Sequence, residues 1–120
     1  MKIKKENIVL EKAHKFALRV VKLYKYLADE KREYVISKKL LDDGTDIGAW
    51  IKAAQEAESH DGFTRDMSAA LRKSSKTDFW LQLLLDSGYL DEQQFNSMDA
   101  ENQDLFHLLT AIVKSARGQR

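Results

Sequence analysis

Two pairs of residues have the spacing of metal half-sites. Glu11-x-x-His14 and Asp104-x-x-His107 each set a carboxylate and an imidazole three residues apart, the spacing found in the di-iron centres of helical bundles. Such a centre needs inward-facing ligands from all four helices. At about 100° per residue, Glu11 and His14 point away from Phe16 and Val20, while Asp104 and His107 point away from Leu105 and Leu109. Solvated side chains fit that placement, and no metal or cofactor is expected. Ser59-His60-Asp61 contains the residue types of a hydrolase triad. Three consecutive residues cannot line up nucleophile, base and orienting acid, which converge from separate elements; a helix stop and start accounts for them. Gly44 and Gly48 lie in a helical pattern with no preceding strand, so they form no phosphate-binding loop. The expectation is a protein that is not an enzyme and has no small-molecule substrate.

Cations offer a different chemistry. Residues 1–28 hold eight Lys/Arg against Glu6 and Glu11, although the net charge of the whole chain is only +1. Lys12, Lys15, Arg19 and Lys22 fall within a wedge of roughly 80° on one helix face. That row extends along ~15 Å and could track a phosphate backbone; a solvated helix face is the alternative. Lys38 and Lys39 are further candidates for the same contact.

These residues need long helices to position them. The chain has 120 residues, no proline, no cysteine, 43% apolar and 32% charged residues. This composition suits a single domain of long helices without disulfides or thiolate metal sites. No apolar run approaches the ~18 residues of a membrane span, and the opening MKIKKEN leads into an amphipathic segment, not a signal-peptide core. A cytoplasmic protein is expected. Apolar periodicity predicts helices over about 8–28, 32–59, 62–86 and 92–116, with Asn7 and Asp61 as N-caps of the first and third. The last junction is the best signed. Gly88 suits the left-handed position after a helix, Asp91 and Gln94 form a capping box, and Leu90 and Phe95 have staple spacing. Short connections between such helices favour an all-α, antiparallel up-down-up-down four-helix bundle over residues 1–120. Gly44 and Gly48 each cost about 1 kcal/mol against alanine in a helix, and close approach by another helix is the expected compensation.

The runs KFALRVVKLYKYL (15–27), KREYVISKKLL (31–41), GTDIGAWI (44–51), QEAES (55–59) and FWLQLL (79–84) resemble the bacterial four-helix-bundle family of 23S rRNA intervening-sequence proteins. That family is similar to the accessory variability determinant proteins of diversity-generating retroelements. The resemblance implies a homopentamer with a central channel, in a family for which no enzymatic activity is established. It also implies RNA as a partner, or a nucleoprotein containing a reverse transcriptase. The alternative is a protein–protein interaction scaffold that binds no nucleic acid.

The chain departs from the family pattern on one face of the second helix. Members usually have arginine at the position of Asp42, serine at Asp46, asparagine at Trp50 and glutamate at Ala53. On the third helix they tend to have glutamate at Lys73 and Lys76, and arginine at Asp78. Reversed polarity on neighbouring helices suggests ion pairs of Asp42 and Asp46 with Lys73 or Lys76, within a subunit or across an interface. Asp42, Asp46, Trp50, Ala53, Lys73 and Lys76 are therefore the candidate assembly residues. Trp50 would be a buried anchor there.

Overall fold

The computed structural model describes residues 4–118, with side chains from residue 7 onward. Four helices, α1 (Lys4–Asp29), α2 (Ile36–Gln55), α3 (His60–Asp86) and α4 (Glu92–Ala116), form an antiparallel up-down-up-down bundle. Each packs on its neighbours in a closed ring, with α1 against α2 and α4, and α3 against α2 and α4. The bundle measures 44 × 24 × 20 Å.

The helical stripes meet at a common core. Phe16, Val20 and Leu27 of α1 are fully buried with Leu40, Ile47 and Ile51 of α2, Met67, Leu81 and Leu84 of α3, and Leu109 of α4. Where polar groups enter the core they find partners. Ser74 Oγ donates to Asn102 Oδ1 at 2.9 Å, and Asn102 Nδ2 donates back to the Ser74 carbonyl at 3.0 Å, tying α3 to α4. Gly44 makes the close approach expected of it. A Cβ added there would lie 2.9 and 3.0 Å from the two Cγ atoms of Val20, tighter than side chains tolerate. At Gly48 the same atom would meet Ala13 at an ordinary 3.6 Å.

Helix ends depart from periodicity where the cap is not local. α1 runs from Lys4 straight through Asn7, which therefore is not its N-cap; Lys4, Lys5 and Glu6 are good helix formers with no breaker among them. α2 begins at Ile36, four residues later than expected. Arg32 takes a left-handed conformation (φ 57°), and the next residue caps the helix from outside it. The Glu33 carboxylate accepts from the backbone N–H of Val35 (3.1 Å), Ile36 (2.9 Å) and Ser37 (2.6 Å), donors that a helix start leaves without partners. Burial pushes the Glu33 carboxyl up, but the backbone donors at Ile36, Ser37 and Val35 outweigh it, so its pKa falls below the usual value. α2 ends at Gln55, before the expected 59. Ser59, not Asp61, is the N-cap of α3, its Oγ accepting from Gly62 N–H at 3.0 Å. Asp61 lies in the first turn instead, where a negative charge suits the helix dipole.

The α3–α4 junction has the anticipated form. Gly88 is left-handed (φ 85°). Its N–H bonds to the Leu85 carbonyl at 3.1 Å and the Tyr89 N–H to the Leu84 carbonyl at 2.9 Å, the paired bonds of a Schellman ending. Asp91 and Gln94 close a full capping box. Among the described residues, no helix is long and apolar enough to cross a membrane.

Candidate nucleic-acid and assembly surfaces

The α1 cations face α4 across an open groove. Its wall of Lys12, Lys15, Leu18, Arg19, Lys22, Glu101 and Asp104 encloses about 570 Å³. It continues past Arg19 and Lys22 into a second hollow of about 530 Å³ lined by Leu23, Tyr26, Gln94 and Met98. Helical spacing accounts for the wall, because residues three and four apart share a face. α4 answers the stripe with acids. Lys12 Nζ pairs with Asp104 Oδ2 at 2.6 Å. Arg19 pairs with Glu101 and also donates to Ser97 Oγ at 2.8 Å. Lys15 and Lys22 are exposed and have no carboxylate within ion-pair distance among the described residues. The groove thus carries four cations against two acids.

Lys38 and Lys39 do not join that row. Lys38 pairs with Asp42 one turn along α2 at 3.6 Å. Lys39 Nζ lies 5.5 Å from the centre of the Trp80 ring on α3, a cation–π distance.

On the opposite seam, α2 meets α3 around a carboxylate missed in the sequence. Asp43 is only 6% exposed. It accepts from Trp80 Nε1 at 2.7 Å and Lys73 Nζ at 3.1 Å, with Lys76 Nζ at 3.9 Å. Lys73 also reaches Asp46 at 3.4 Å. The Asp43 hydrogen bond leads in raising the Lys73 pKa above the ordinary lysine value, against burial, which pulls it down. The suspected Asp46–Lys73 pair therefore closes within one chain, while Asp42 turns to Lys38 and contacts neither Lys73 nor Lys76. One signal for Asp43 was available: it stands three residues after Leu40 and four before Ile47, on the core stripe. Trp50 is 37% exposed, and Asp42 and Ala53 are exposed beside it.

On the seam between α3 and α4, Asp78 faces Asp99, and Gln103 Nε2 donates to both, at 3.3 and 3.4 Å. Sharing a hydrogen bond with Asp99, together with burial and like charge, pushes Asp78 up to about 6 despite the Gln103 donor.

The residues with metal or triad spacing serve other ends. Glu11, His14 and His107 are exposed, and Asp104 is the partner of Lys12. Ser59 caps α3, and His60 Nε2 lies 2.7 Å from the Ala116 carbonyl oxygen, to which it donates.

A family model described as "23S rRNA-intervening sequence protein" matches residues 5–111. A crystal structure of a protein of unknown function from the S23 ribosomal protein family of Bacteroides thetaiotaomicron is similar, with a TM-score of 0.90 and 38% identity. The likeness covers 92% of this chain and 98% of that one. No curated protein matches. Neither description names a reaction.

Proposed function

Because this chain belongs to the family of 23S rRNA-intervening sequence proteins, we propose that it is a non-catalytic, RNA-binding helical bundle working as a homo-oligomer. The observation that carries this reading is the α1/α4 groove, where the unpaired Lys15 and Lys22 alternate along α1 with Lys12 and Arg19, the two cations held by α4. Lys15 and Lys22 are seven residues apart, so they sit ~10 Å apart along one face. They supply fixed contacts to phosphates, and Lys12 and Arg19 exchange a carboxylate for a phosphate as a strand enters. Such contacts carry no base information and are salt-sensitive.

The test is anisotropy of a labelled single-stranded RNA titrated across about 50–200 mM salt. The double variant Lys15→Glu/Lys22→Glu is expected to weaken binding and lower the slope of log affinity against log salt by about 1.4, two contacts at ~0.7 each on a single strand. Affinity that stays flat with salt would overturn the reading.

Assembly is carried by a separate observation. Trp50, Asp42 and Ala53 lie exposed on one face of α2, and a tryptophan on such a face suits a subunit contact. On this reading Trp50→Ala shifts sedimentation at low micromolar protein toward smaller species; an unchanged profile counts against it. The resemblance makes a pentamer the state to look for.

A further inference from the structure

A second basic feature lies on the α3 side of α4, away from the groove. Where α3 begins and α4 ends, His60, Thr64, Arg65, Ser68, Arg72 and Arg117 line an open hollow of about 590 Å³. Arg65, Ser68 and Arg72 share a face of α3 through three- and four-residue spacing. Arg117, the C-cap of α4, is drawn across to them by a 3.0 Å hydrogen bond from its guanidinium to Ser68 Oγ. The His60 bond to Ala116 pins the two helix ends together beneath it. Counter-charge is sparse here. Asp66 is buried and takes Arg65 Nε at 3.3 Å, and Asp61 stands at the rim. Arg72 and Arg117 have no carboxylate within ion-pair distance among the described residues.

We infer that this arginine cluster is a second phosphate-contacting site, gripping the same RNA strand that the α1/α4 groove holds; the inference rests on that reading. Arg65 and Arg72 are seven residues apart, ~10 Å along the helix, so they can reach separate phosphates of one strand. The planar guanidinium fork suits phosphate oxygens better than a lysine point charge does. The hollow is open and has no enclosing apolar wall, so it suits a strand lying across it and does not bury a small ligand. Asp104 and Arg117 are ~20 Å apart along α4 and on different sides of that helix, so one strand reaches both by crossing over α4.

The experiment compares Arg72→Glu/Arg117→Glu with Lys15→Glu/Lys22→Glu in the full chain, using a labelled single-stranded RNA of about twelve nucleotides. Each pair is expected to cost about tenfold or more in affinity and to lower the salt slope by about 1.4. If the arginine pair binds RNA with native slope while the lysine pair loses affinity, this inference falls and the groove stands. If only the arginine pair matters, the groove reading falls and the claim of one strand shared by two sites falls with it. If the native protein binds no RNA, both fall. Thermal melting checks each fold; should the glutamate pair fail to fold, Arg72→Gln/Arg117→Gln is expected to lose the same slope and decides the matter by the same criteria.

Discussion

The two seams that flank the bundle use the same charged groups to different ends. Between α2 and α3, Asp43 is 6% exposed and satisfied by Lys73 and Trp80. Between α1 and α4, the Lys12–Asp104 pair leaves both side chains nearly half exposed, at 46% and 49%. A buried carboxylate that loses its donors is left with a large desolvation cost, whereas an exposed pair gives up little when it opens. The first seam is therefore committed to the fold. The second can trade partners, and that freedom suits a binding surface.

The largest expected effect tests the committed seam. Asp43→Ala strands the Trp80 N–H and leaves Lys73 with only Asp46, and urea unfolding should show a loss of about 2–4 kcal/mol. A loss below 1 kcal/mol would erase the distinction between the seams. Lys73 gives this network a pH dependence at its alkaline end. Because the folded state raises the Lys73 pKa, the contribution is complete below the ordinary lysine value and is lost as pH climbs through the raised one.

The seam between α3 and α4 sharpens the comparison, since like charges meet there. Asp78 is pushed up to about 6 by Asp99. A carboxyl raised in the folded state is harmless below the unfolded value, near 4, and destabilises increasingly as pH rises from there to about 6, above which the penalty is complete. Asp78→Asn should thus gain on the order of 1–2 kcal/mol at pH 7–8, and the gain should fade as pH falls from about 6 toward 4. Equal melting temperatures for variant and native protein at pH 8 would contradict it.

The smallest effect belongs to the exchangeable seam. A double-mutant cycle on Lys12 and Asp104 should return a coupling of about 0–1 kcal/mol, shrinking further with added salt. Coupling above 2 kcal/mol would show that Lys12 is held too firmly to hand over to a phosphate.

What could be read in advance follows the range of each interaction. The α3–α4 turn was legible because Gly88, Asp91 and Gln94 act on backbone within a few residues of themselves. The start of α2 was not, because Glu33 is an unusual cap that works from outside the helix while Arg32 adopts a conformation uncommon for its type. The cationic row on α1 was visible as a helical spacing. Its half-neutralisation depends on Glu101 and Asp104, more than eighty residues away in sequence, and only the ring order of the helices brings them together. Asp43 was hidden for the same reason, its partners being 30 and 37 residues distant.

The contact of Val20 with Gly44 has a consequence for how the first two helices can be aligned. Sliding α1 by one turn, ~5.4 Å, would bring Phe16 or Tyr24 over a position where even a methyl group crowds a valine. The glycine is thus a keyhole that admits one register. It also couples two positions in descent: residue 44 can grow only after residue 20 has shrunk, so the pair changes together or stays.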